Sequence, residues 1–123
     1  MKINDPVVLA QVRAAFERYE QALVSNDITV LDELFWDSPH TVRYGAAENL
    51  YGIAQIRRFR VARPAAGLAR TVQATAITTY GDDLATTHIE FARPGARPGR
   101  QSQTWVRMPE GWRIVAAHVS LMA

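Results

Sequence analysis

Apolar side chains recur at steps of three and four near the start of the chain, and Leu9, Val12, Phe16, Tyr19 and Leu23 thereby share one face of a helix. Asp5 and Pro6 give that helix a start. The Asp side chain accepts from free first-turn amides, and Pro at the first helical position has no amide to leave unpaired. The helix is expected to end near Ser25 and Asn26, with Tyr19 facing inward. Asp27 can cap a second short helix whose buried side is Val30, Leu31, Leu34 and Phe35, and Asp37-Ser38-Pro39 breaks it. Residues 40–44 read as a short strand with Thr41 and Arg43 on one side and Val42 and Tyr44 on the other. A turn over 45–49 and a strand at 50–51 lead to a third helix after Gly52. Ile53, Ile56 and Phe59 are spaced there for burial, and Arg63-Pro64 closes it.

Beyond Ala65-Ala66-Gly67 the period drops to two. Four strands are expected at 69–80, 84–92, 100–108 and 112–121, joined by Gly81-Asp82-Asp83, a loop over 93–99 and Pro109-Glu110-Gly111. Helices first and a strand meander afterwards define an α+β fold: a curved, antiparallel or mixed sheet wrapped around three N-terminal helices, leaving a conical cavity. The 93–99 stretch is too short for a linker and no internal repeat is visible, so residues 1–123 are expected to form one domain.

Composition narrows the chemistry. The chain has 123 residues, 48% of them hydrophobic, enough to bury a core without crosslinks, and no Cys, which excludes disulfides, a thiol nucleophile and Cys-ligated metals. The three His (His40, His88, His118) lack ligand spacing, so neither a metal nor another cofactor is expected. No apolar run approaches the ~18 residues of a membrane span, and Arg13, Glu17 and Arg18 interrupt the only candidate leader. A cytoplasmic location is the expectation, without membrane association. Arg outnumbers Lys 13 to 1 while the net charge is only +2. Such a chain holds many fixed carboxylate clamps without the basic stripe that nucleic acids require. A GC-rich genome produces the same ratio, so the positions of individual Arg residues carry the argument.

The order of elements, with WDSPHTVRYG, ENLYG, IRRFRVARP and GRQSQTWVR followed by GWRIVAAHVSLM, resembles the nuclear transport factor 2-like (SnoaL-like, cystatin-like) cone over essentially the whole chain. Within that superfamily it resembles the branch holding AtzH of cyanuric acid degradation and the HpxZ-type proteins associated with oxalurate catabolism. The resemblance implies a cofactor-independent, decarboxylating amidohydrolase of nitrogen metabolism, acting on a small dicarboxylated urea to yield allophanate. It further implies that a Tyr on the first helix and an Arg on the first strand serve the reaction, and Tyr19 and Arg43 stand at those places. A homodimer formed through the outer sheet face, with Thr104, Val106, Ile114 and Ala116, and functional association with an amidase are further expectations. Two other readings stand beside it: a non-catalytic ligand-binding or accessory subunit, and an isomerase or dehydratase.

By position alone Tyr19 reads as core; with the resemblance it becomes a hydrogen-bond donor aimed into the cavity. Arg43 pairs either with Asp37 or Glu48 or with a substrate carboxylate, and a buried Arg demands some such anion. Strand parity adds substrate-binding candidates. If Trp105 lines the cavity, Gln103 and Gln101 do as well, and Gln103 offers both a donor and an acceptor to a ureido group. His88 and Glu90 share one face of the preceding strand, with Glu90 a candidate base or orienter. Arg57 and Arg63 on the third helix are candidate second carboxylate clamps. His118 and Ser120 point the same way on the last strand but lack an oxyanion hole and an orienter, so they read as structural or dimer-facing.

Overall fold

Residues 1–123 are described by a computed structural model. Asp5 caps the first helix, α1 (Pro6–Val24), its carboxylate accepting from the amides of Val7 and Val8 at 3.0 and 3.4 Å. The buried stripe of α1 is Val8, Val12, Phe16, Tyr19, Ala22 and Leu23, while Leu9, expected on it, sits half-buried at its margin. Asp27 caps α2 (Ile28–Leu34) through the Val30 amide. Two short strands follow, β1 (Val42–Tyr44) and β2 (Asn49–Tyr51), and then α3 (Ile53–Ala62). The remainder is the expected meander: β3 (Thr71–Tyr80), β4 (Leu84–Ala92), β5 (Gly99–Met108) and β6 (Gly111–Leu121).

The strands form one six-stranded mixed sheet in the order β2-β1-β6-β5-β4-β3. Every neighbouring pair is antiparallel except β1 and β6, which run parallel with Arg43 opposite Ala117. Parallel neighbours need a long crossover. Here the chain leaves β2 through α3, crosses along residues 63–70 to the far edge, and returns strand by strand to β1. The helices pack on one face of the sheet, with α1 against β3, β6 and α2, and α2 against β6 and α3. The core between the layers includes Val12, Phe16, Leu31, Phe35, Ile56, Phe91, Trp105 and Ile114.

Two local features depart from simple alternation. Thr104 pairs with Ala116 but Trp105 pairs with Ile114, so Val115 is an extra residue in β6. This bulge reverses the parity of β6, and Ile114, expected on the outer face, is fully buried inside. Gly99 lies opposite Phe91 on β4, and the Phe91 ring covers it: a Cβ at Gly99 would fall 2.2 Å from Cζ of that ring. Gly99→Ala is therefore expected to push the ring out of its seat and destabilise the fold by about 1–3 kcal/mol. Urea unfolding of this variant against the wild type measures the loss.

Candidate functional site

A cavity of about 310 Å³ opens at the end of the cone where the crossing segment passes over the sheet. The last two turns of α1 contribute Tyr19 and Leu23, and β1 with its turn contributes Arg43 and Glu48. Phe59 and Arg63 come from the end of α3. Arg70, Arg93, Gln101 and Val119 close the side formed by the sheet. Phe59, expected in the core, is half-buried, and its ring forms part of the cavity wall.

Tyr19 and Arg43 thus border the same void. The Tyr19 side chain is buried, yet its hydroxyl makes no hydrogen bond within the protein, which leaves it free to donate into the cavity. Its ring is set by a chain of contacts. Phe35 lies tilted against it at 6.2 Å between centroids, Arg60 stacks on the other partner of that pair, Phe35, at 4.8 Å, and Asp32 holds the Arg60 guanidinium. Burial lowers the pKa of Arg60, opposed by Tyr19 and by the hydrogen bond that Arg60 donates to Asp32. A guanidinium stays protonated under such a shift.

Arg43 donates to Glu48 at 2.9 Å and lies 5.3 Å from the Phe59 ring centre. Of the two carboxylates weighed for it, Glu48 and not Asp37 is the partner. The Glu48 carboxyl bends over Gly45, where a Cβ would fall 1.7 Å from Oε1, so a side chain at that turn position would displace the carboxylate from Arg43. Arg63 faces the same Phe59 ring at 5.8 Å, and its Nε and Nη2 are buried without a partner. Burial and then the neighbouring Arg43 lower its pKa. Asp37 instead faces Arg57 at 3.7 Å on the exterior, so Arg57, expected as a clamp, lies outside the cavity on an exposed turn of α3.

The strand candidates are sorted by the pleat and by the taper of the cone. Thr87, Ile89 and Phe91 point inward on β4; His88 and Glu90 therefore point outward and cannot bind a ligand in the cavity or act there as a base. They line a shallow outer groove with Ala74, Ala76, Arg100 and Ser102, where His88 Nδ1 lies 2.8 Å from Ser102 Oγ. Gln103 and Trp105 do share the inner face with Gln101, as parity requires, but they are buried in the core. Trp105 Nε1 donates to Thr87 Oγ1 at 3.1 Å, Thr87 donates to Gln103 Oε1 at 3.1 Å, and all three are buried away from the cavity. Only Gln101, nearer the open end, reaches it. His118 and Ser120 are on the outer side, His118 edge-on to Tyr44 at 5.6 Å.

Two wall arginines have no counterpart among the sequence-derived candidates. Arg70 donates to Glu20 through Nε at 3.2 Å and also through Nη2, and to Gln101 Oε1 at 3.1 Å. Arg93 donates to the Leu68 carbonyl at 3.4 Å, while its Nε is buried and unpartnered. Burial and then Arg70 lower the pKa of Arg93. Arg63-Pro64 and Arg93-Pro94, each with a Phe a few residues upstream, are the repeated signal that sequence inspection could have used. Elsewhere in the chain, no group of three His, Asp or Glu side chains comes together to hold a metal ion, and no helix is long and apolar enough to cross a membrane.

A six-stranded mixed sheet packed with three helices is the architecture of the nuclear transport factor 2-like, cystatin-like proteins. The chain belongs to the AtzH-like family, whose model matches residues 1–123. A protein of unknown function from Pectobacterium atrosepticum is 65% identical and superposes with a TM-score of 0.97, over 98% of this chain and 95% of that one. A cystatin-like fold protein from Burkholderia xenovorans is 48% identical, with a TM-score of 0.95 over 100% and 98% of the two chains. A putative dehydratase of the nuclear transport factor 2-like family from Streptomyces avermitilis shares the fold at 16% identity, with a TM-score of 0.81 over 95% and 97%. Among curated proteins, none matches the sequence.

The contact chain behind Tyr19 can be tested through its anchor. Asp32→Ala leaves the Arg60 guanidinium buried without its carboxylate and is expected to cost about 3 kcal/mol. Glu33→Ala, which frees the exposed Arg18, is expected to change stability by less than about 0.5 kcal/mol. Denaturant unfolding of the two variants measures the contrast.

Proposed function

We propose that the protein is a cofactor-independent, decarboxylating amidohydrolase acting on a small N-carboxylated urea, of the 1,3-dicarboxyurea type, to give allophanate. The observation that carries this reading is the Tyr19 hydroxyl, unbonded to protein, in a cavity it shares with the Arg43 and Arg63 guanidiniums. Family membership supports it, since the first-helix Tyr and first-strand Arg occupy the positions that the AtzH resemblance implies.

An N-carboxylated urea breaks down by losing carbon dioxide. The electron pair of the N–C bond stays on nitrogen, and that nitrogen must gain a proton. Arg43, with Arg63 beside it, holds an anionic end of the substrate and fixes its orientation. The Tyr19 hydroxyl hands its proton to the departing nitrogen and recovers one from water. No activated nucleophile is needed, because such compounds already decompose in water; the protein contributes orientation and one placed proton. The dehydratase reading, by contrast, loses the bases on which it rested, since His88 and Glu90 lie on the other side of the sheet.

Purified protein mixed with N-carboxylated ureas is expected to accelerate carbon dioxide release. Tyr19→Phe should keep the thermal unfolding midpoint within a few degrees and lower kcat by about 10²-fold or more. Arg43→Ala should act mainly on KM. Wild-type turnover preserved in Tyr19→Phe, or no acceleration by the wild type, overturns the assignment.

A further inference from the structure

The cavity wall repeats one arrangement twice. On one side Arg43 and Arg63 face the Phe59 ring at 5.3 and 5.8 Å, and Glu48 is bonded to the first of them. On the other, Arg70 and Arg93 face the Phe91 ring at 4.4 and 5.0 Å, and Glu20 is bonded to the first. Each half therefore has one guanidinium answered by a carboxylate and one that no carboxylate answers. Arg63 and Arg93 are those two, and both keep buried N–H groups with no acceptor. Each directly precedes a proline, which holds its backbone extended, as seen for Arg63 with φ −73° and ψ 133°. Four positive and two negative groups leave the cavity two charges in excess, one excess charge per half.

We propose that Arg93, seated on Phe91 beside the Glu20-held Arg70, is a second anion clamp, and that the cavity selects small molecules with an anionic group at each end. This rests on the cavity being the ligand site, as in the function proposed above, but not on the reaction assigned to it. Arg63 receives one end and Arg93 the other. Tyr19 borders the same cavity as both guanidiniums. Gln101 and Glu20 fix the Arg70 fork, so Arg93 is the member of its pair with hydrogen-bonding capacity left for a ligand. A guanidinium that no carboxylate answers is costly away from water, and a carboxylate bound in the cavity answers the charge at both places.

Binding of a dicarboxylate series (malonate, succinate, glutarate) and of the matching monocarboxylates (acetate, propionate, butyrate) to the full chain tests this by calorimetry. At least one dicarboxylate is expected to bind roughly tenfold or more tighter than its monocarboxylate, the effect of one added charge-assisted contact. Arg93→Gln should reduce that ratio to about twofold or less, and Arg93→Lys, which keeps the charge but not the fork, should give an intermediate ratio. A thermal unfolding scan of each variant establishes that it is folded. The wild-type ratio is a measure independent of any variant. A wild type that does not prefer dicarboxylates, a preference that survives in folded Arg93→Gln, or no measurable binding of any dicarboxylate overturns the proposal. A preference for dianions without carbon dioxide release from carboxylated ureas rejects the reaction and keeps the clamp; release that is indifferent to Arg93 does the reverse.

Discussion

A guanidinium is tolerated away from water only where something answers its charge, and the wide end of this cone gathers four of them around one void. Two are answered by carboxylates, Glu48 for Arg43 and Glu20 for Arg70. All four are answered in part by aromatic faces, which accept a cation through the negative charge of the ring. The glycines opposite these groups are part of the same arrangement. Gly45 leaves room for the Glu48 carboxyl, and Gly99 leaves room for the Phe91 ring, so small-residue positions in a turn and at a strand end determine where the charges sit.

The charges reach one place because of the parallel pairing of β1 with β6. An antiparallel neighbour could be reached by a tight turn, but a parallel one requires the chain to travel to the far edge of the sheet and back. That journey carries residues 63–70 across the open end. Arg63 stands where α3 stops and Arg70 one residue before β3 begins, while Arg93 follows the last residue of β4. All three sit at element ends, where long side chains can fold over the rim and where backbone direction is set by caps and prolines.

The helices, the meander and its turns were legible because capping residues, the 3.6 and 2.0 periods and Gly/Pro punctuation agree along the chain. Asp5-Pro6, Asp27 and Gly81-Asp82-Asp83 mark boundaries that the structure keeps. The first strand is shorter than its pattern, beginning at Val42, because Ser38 to Thr41 form the turn whose carbonyls bond the amides of Gly52 and Ile53. Tyr19 and Arg43 could be picked out by position and resemblance. The rest of the wall could not, since Arg70 meets Glu20 across 50 residues of sequence and Phe91 serves as a platform for two Arg residues from different elements. Parity gave the right partners for Gln103 and Trp105 but not their depth, and the bulge at Val115 is invisible to a strict alternation.

Depth along the cone sorts polar groups by charge. At the narrow end, Trp105, Thr87 and Gln103 form a neutral network, and Trp112 Nε1 donates to Gln11 of α1 at 3.1 Å, tying the helix over it. Neutral hydrogen-bonding groups can be dehydrated there at modest cost, whereas an ion cannot. The four cavity guanidiniums stay at the open end, where carboxylates and aromatic faces answer their charge. On the function proposed above, a ligand entering by that end meets its counter-charges before it is fully dehydrated, and the covered opposite end gives it no room to travel deeper. On that same function, discrimination by this chain lies in the number and spacing of charges at the rim, and Tyr19, on the last turns of α1, borders the same void as the two arginine pairs.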